Sequence, residues 1–243
     1  MNENIQKTRR AFLNTVYKSG LSIALGRFAL FTPVVFAFGQ VPAKLDDDKS
    51  IFELQGTATV DGKKATMSTF IKADSLVVTA SNSFIIFKVG QDSHILRENS
   101  TLQLEGNNVL ESGLHLISGK ILSVFAEREG SQNKHTLRTS TATIGIRGTG
   151  VYAESDPEMS YLCTCYGKTK IQANAAPDQV ELIAAQHHDA PRFILKDPEK
   201  GKLIIPAPVF NHTDEELILL EAIVGRESPI SAIQSYSSPR RGY

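Results

Sequence analysis

The sequence predicts a mainly β protein carrying one short C-terminal helix, and two observations predict it. Between residues 50 and 173, apolar and polar residues alternate in short runs broken by turn signals about every 8–12 residues, the pattern of an all-β domain. Further on, Thr213 to Gly225 joins a capping box to apolar residues at helical spacing. With 243 residues, 41% of them hydrophobic, the chain can bury a core of one domain or at most two.

Residues 1–43 read as an export signal. Lys7-Thr8-Arg9-Arg10-Ala11-Phe12-Leu13 matches the twin-arginine pattern, an apolar stretch runs from Gly20 to Gly39, and small residues offer cleavage after Gly39 or Ala43. Lys18 and Arg27 interrupt the apolar run, which argues against a spanning helix of about 20 uncharged residues. This segment holds five basic groups and one acid, leaving 21 basic and 25 acidic residues in the remainder. A mildly acidic mature chain has no general attraction to nucleic acid. The expected location is the periplasm, with no stable membrane span once the signal is removed.

The next segment supplies the strands. Candidates are Leu76–Ala80, Phe84–Val89, His94–Arg97, Thr101–Glu105, Gly113–Ile117 and Ile121–Glu127. Turns are expected at Asp61-Gly62, Ser81-Asn82-Ser83, Gly90-Gln91-Asp92, Gly106-Asn107-Asn108 and Ser118-Gly119-Lys120. A sandwich, a roll or a short β-solenoid all fit this spacing. From Thr139 the run TSTATIGIRGTGVYAE alternates Ala142, Ile144 and Ile146 on one face of a strand, then crowds Gly145, Gly148 and Gly150 around Arg147. Glycines within a strand mark a bend or a bulge. Arg147 there either satisfies backbone carbonyls at the bend or binds an anion.

The IRGTG of this run, with the bend residues Arg147, Gly148 and Thr149, resembles the most characteristic segment of the FecR domain, the periplasmic domain of iron-citrate-type signalling regulators. The resemblance extends upstream through LHLISGKILSVF, SLVVTASNSFIIFKVGQDSHILRENSTLQL and GTATVDGKKATM. It runs from about Phe52 to Ile171, roughly half the chain. It implies a periplasmic β module for sensing or interaction rather than catalysis, built by solenoid-like stacking of strands. FecR-type regulators place an anti-sigma segment and a spanning helix ahead of this domain. Here an export signal stands there, which points to a scaffold or adaptor in the envelope.

Chemistry concentrates between residues 161 and 212. Cys163 and Cys165 are i and i+2, so on a strand both thiols project from one face, with Cα atoms roughly 6.6 Å apart. A relaxed disulfide prefers about 5.5–6 Å. Two thiolates on one face suit a soft metal, with M–S bonds of about 2.3 Å for zinc, provided that further ligands come from elsewhere. His187, His188 and His212 are the candidates, with Asp189 beside them. Imidazole with thiolate suits zinc, copper(I) or iron. Only one of His187 and His188 can join the cysteines if they lie on a strand, and both can on a turn. Buried structural thiols and a redox-active pair are the competing readings. His94, His115 and His135 are scattered and read as structural.

Ala173–Asp178 reads as a turn and Gln179–Gln186 as a strand. Phe193–Lys196 and Lys202–Ile205 form a further pair across Asp197-Pro198-Glu199-Lys200-Gly201. Thr213 and Glu216 form the capping box of a helix of about three turns, with Leu217, Leu220, Ile223 and Val224 on its apolar face and Gly225 behind it. The composition after Gly225 is that of a disordered tail. The organisation expected is a signal over 1–43, a FecR-like β domain over 44–173, an arm of added strands over 174–210, a helix over 211–226 and a tail over 227–243. No nucleophile elbow, metalloprotease, phosphate-loop or dinucleotide motif occurs. The function expected is non-enzymatic binding of a small ligand or an envelope protein. The alternative is metal binding through Cys163, Cys165 and the downstream histidines.

Overall fold

A computed structural model describes residues 41–107, 110–127 and 135–232. The export signal falls almost wholly outside the described residues, as does the tail beyond 232. Among the described residues the chain is mainly β with a single α-helix, and fourteen strands join in one sheet. In chain order they are β1 (Ile51–Gln55), β2 (Ala58–Val60), β3 (Lys63–Lys64), β4 (Leu76–Thr79), β5 (Phe84–Val89), β6 (Asp92–Leu96), β7 (Thr101–Asn107) and β8 (Leu110–Val124). There follow β9 (His135–Arg138), β10 (Ala142–Asp156), β11 (Met159–Ala173), β12 (Ala176–Ala185), β13 (Arg192–Glu199) and β14 (Lys202–Pro206). Pairing is antiparallel throughout except between β8 and β9. No described helix is long and apolar enough to cross a membrane.

The framework is three strands of fifteen residues, β8, β10 and β11, where the sequence pattern points to shorter ones. Ser118-Gly119-Lys120 explains the difference. It is not a turn between strands but an irregularity inside β8, where Gly119 takes φ +91° with Ser100 packed against it. Before it β8 pairs with β7; beyond it the same strand pairs with β6 and β10. A bulge thus lets one strand serve two parts of the sheet, and its cost is a residue that must be glycine. Gly106 and Asn107 likewise continue β7 to a register partner at Leu110.

The IRGTG segment is the corresponding bend in β10. Register with β11 shifts between Arg147 and Gly150, and Gly148 has φ +53°. Arg147 turns toward solvent rather than onto the backbone of the bend. Its side chain is 71% exposed, with Glu127 4.0 Å away, and an exposed pair of that kind contributes little. Thr149, fully buried, secures the bend instead. Its Oγ1 donates to the Arg147 carbonyl at 2.7 Å and accepts from the Lys168 N–H at 3.1 Å.

Residues 174–210 extend the main sheet. β12 pairs with one half of β11 and β13 with the other, and β14 pairs with β13. Pro206 ends β14 at the edge, where no ladder N–H is required. α1 (Asp214–Ile223) starts at the expected capping box, with Thr213 as N-cap. Leu217, Leu220 and Ile223 are completely buried, each contributing about 2 kcal/mol. Leu217 and the Tyr166 ring close over Gly150, and Ser93 Oγ donates to the Leu220 carbonyl at 2.7 Å. A helix this short is not stable alone and relies on this docking. Pro229–Ala232 adds a short 3-10 helix with Ile230 buried, where composition points to the start of the tail.

Gly167 faces the β10 bend at φ +86°, and a Cβ there would run into the Gly148 carbonyl and lie 2.6 Å from Thr149 Oγ1. Gly167→Ala is therefore expected to cost about 3 kcal/mol in urea unfolding. Gly62→Ala, strained in φ but with no atom within 4 Å, is expected to cost only about 1 kcal/mol. Equal losses would show that the close approach is unimportant.

Candidate metal centre

The site begins with a gap in the sheet. Along one edge of β11, β13 covers Met159–Leu162 and β12 covers Gly167–Ala173. Residues 163–166 between them have β10 on one side and no strand on the other. The connection from β12 to β13 crosses this opening. Its His188, at φ +53°, donates its backbone N–H to the Cys165 carbonyl at 2.9 Å, doing what a strand would otherwise do. Asp189 shapes the connection by accepting from the Gln186 N–H at 2.6 Å and the His187 N–H at 3.2 Å.

Both cysteines lie in the gap. Cys163 pairs with Tyr152 of β10, and Cys165 is the extra residue of a bulge, since Gly150 pairs with Tyr166 and Val151 with Thr164. The thiols are free and fully buried. The fourth element is the stretch between β14 and α1, which carries His212 beside the Tyr152 ring, stacked at 4.7 Å and 14°.

The structure thus brings together Cys163, Cys165, His188 and His212, whose four donor atoms lie within 4.8 Å of one another. Cys163 Sγ is 3.4 Å from His188 Nδ1, which is 2.9 Å from His212 Nε2. The far nitrogen of each ring is occupied. His212 Nδ1 meets the Phe210 carbonyl at 2.7 Å, and His188 Nε2 meets Asp214 Oδ1 at 2.9 Å. A carbonyl and a carboxylate only accept, so both far nitrogens carry protons. The near nitrogens of two neutral rings would then aim lone pairs at each other. A proton or a metal cation between them removes that repulsion.

Titration follows the same geometry. The Cys165 thiol, then the imidazoles of His188 and His212, bring the Cys163 thiol well below its ordinary range against the opposing effect of burial. Burial, then the Cys163 charge, pushes Cys165 well up. Burial disfavours charge on His188, but Cys163 and Asp214 outweigh it and raise its affinity for a proton. Burial likewise works to raise Asp214, yet His187 and His188 hold it below the usual carboxylate value.

Of the sequence candidates, His187 does not join the four donors. It turns outward, with Nε2 2.9 Å from Asp214 Oδ2. Asp189 serves the loop backbone. His94 and His135 are buried elsewhere, flanking the Phe125 ring. Asp214 and Tyr152 are the participants sequence reasoning missed. Asp214 stands in the first turn of α1, where a helix dipole alone accounts for an acid, and its place two residues after His212 was the available signal.

No protein-family model matches the chain, and no curated protein matches it. Among solved structures, two crystal structures of a protein provisionally called an anti-sigma factor, from Parabacteroides distasonis, at 1.65 and 2.50 Å resolution, superpose with a TM-score of 0.44 and 11% identity. The overlap covers 54% of this chain and 58% of that one, so the chain spans somewhat over half the length of that protein. At that similarity neither activity nor partner transfers.

Because the Cys163 value is lowered and the Cys165 value raised, metal-free protein should hold one thiolate at neutral pH. The sign is that of an acid ionised above its depressed value, so the thiolate persists through mild acid and disappears only well below the ordinary thiol range. Far-ultraviolet thiolate absorbance should show this for the wild type and lose it in Cys163→Ser. Two thiols titrating together above neutrality would contradict the geometry.

Proposed function

We propose that this chain is an exported, non-enzymatic β module of the bacterial envelope whose ligand is a transition-metal ion, held by Cys163, Cys165, His188 and His212. The observation that carries the reading is the convergence of four donors whose two imidazoles are each oriented by an acceptor on the far nitrogen. Metal-bound histidines are held in that way, with a carboxylate or a backbone carbonyl fixing the tautomer. Two thiolates and two imidazoles form a closed tetrahedral set, the composition of zinc sites that bind without catalysing. Zinc(II) fits this set best; copper(I) and iron share the donor preference. Export by the twin-arginine route, read from residues 1–43, delivers protein already folded and allows the metal to be acquired before or after transport.

The FecR-like segments support a role in sensing or scaffolding, in which metal occupancy sets the state of the C-terminal third of the chain. Recognition of an envelope protein draws on β12, where Val180 and Leu182 are exposed, Leu182 to 76%.

Protein purified from the periplasm should retain about one equivalent of zinc or a comparable ion through gel filtration. The Cys163→Ser/Cys165→Ser and His212→Ala variants should release it, and chelation of the wild type should lower its melting temperature. Wild-type protein that is stably folded, reduced and metal-free after incubation with zinc, cobalt and copper(I) would eliminate the reading.

A further inference from the structure

A second group of donors lies immediately outside the first. His187 Nε2, His188 Nε2 and an oxygen of Asp214 are within 4.8 Å of one another. Asp214 faces both rings, with Oδ1 2.9 Å from His188 and Oδ2 2.9 Å from His187. Side-chain exposure rises in order along this path. Cys163 and Cys165 have none, His188 has 10%, Asp214 24% and His187 34%. His188 links the two groups, with Nδ1 facing Cys163 and its Nε2–H held by Asp214. Orienting His188 takes one oxygen of Asp214. The second imidazole, turned to solvent on the same carboxylate, is not needed for that task.

We propose that His187 and Asp214 form a shallow second metal position through which the buried four-donor position is loaded with a divalent ion of the zinc class. This rests on the metal-binding reading above. A hydrated divalent ion cannot reach fully buried sulfurs with its water shell intact, and it sheds that shell stepwise as protein ligands replace waters. A carboxylate and an imidazole at the surface suit the partly hydrated ion. Thiolates deeper in suit the stripped ion. In the transfer, the bonds from the metal to His187 Nε2 and Asp214 break as those to His188 Nδ1, His212 Nε2 and the two sulfurs form. The proton held between His188 Nδ1 and His212 Nε2 and the remaining cysteine proton leave to the vacated His187–Asp214 pair and then to water. No electron changes hands. Copper(I), which has little affinity for carboxylate, would not use this route.

Cobalt(II) ion alone is the probe, because its thiolate charge-transfer band reports arrival at the buried position. Stopped-flow mixing of metal-free, reduced protein with cobalt(II) should show uptake slowed about tenfold in His187→Ala and in His187→Gln. The final spectrum and the equilibrium amount of cobalt bound should be those of the wild type. Uptake at the wild-type rate would overturn the proposal. So would a changed final spectrum with a matching loss of affinity, which would make His187 a positioning residue for Asp214. If the wild type itself never develops the charge-transfer band, the metal-binding reading falls and this proposal with it. That result is distinct from either outcome in the variants.

Discussion

The carbonyl of Cys165 has no neighbouring strand to bond to, and much of the C-terminal third is arranged around that fact. An unpaired backbone carbonyl in the core costs about as much as a lost hydrogen bond. The divergence of β12 and β13 from the edge of β11 creates this need, and the loop that joins them meets it through the His188 N–H. Once the backbone of His188 is fixed there at a positive φ, its ring has little choice of direction. It lies over Cys163, and the thiols, the loop and the approach to α1 become one cluster. The bulge at Cys165 belongs to the same solution, since it turns that residue within a strand whose register is otherwise set by a long hairpin with β10.

The helix end contributes as much as the sheet. Thr213 caps α1 and Glu216 closes the capping box, which holds the preceding His212 at a defined angle to the first turn. Arg97 ties Glu216 to the β framework at 2.8 Å and also bonds the Asn211 carbonyl at 3.0 Å. Asn211 in turn donates to Glu154, which accepts the Tyr152 hydroxyl, and the Tyr152 ring stacks on His212. Asp214 then serves two fields at once, the positive end of the helix and the two imidazoles. Its low proton affinity despite partial burial reflects the imidazoles prevailing over desolvation.

Period-two alternation, Asp61-Gly62, Gly90-Gln91 and Lys200-Gly201 were enough to read the fold class and most hairpins, because such turns depend on local φ preferences. The long strands were not legible. Gly119 in a Ser-Gly-Lys triplet has the same composition in a turn as in a bulge, and only the presence of two different partner strands separates them. Cys163, Cys165, His188 and His212 were legible as residue types with a shared chemical preference. Which of His187 and His188 would face the thiols was not, because it depends on a backbone hydrogen bond between segments 23 residues apart. Asp214 was not legible for the same reason: in the sequence a first-turn acid needs no explanation beyond the helix dipole, and its second role exists only across the fold.

Charge bears on which ion the four donors suit. Two thiolates without a cation would place two negative charges at positions with no exposure, and raising Cys165 while lowering Cys163 is how the metal-free protein avoids that. A divalent ion with two thiolates and two neutral imidazoles is electrically neutral. A monovalent ion with the same set leaves one net negative charge in the core, and the Asp214 carboxylate on His188 adds to that charge rather than offsetting it. Desolvation therefore favours the divalent ion within a donor set that ligand softness alone would give equally to copper(I). The same ion would join strand, loop and helix approach across sequence separations of 25 and 24 residues. Cross-links of that span restrict the unfolded chain more than short ones do, so an ion bound there would couple occupancy to the order of the C-terminal third.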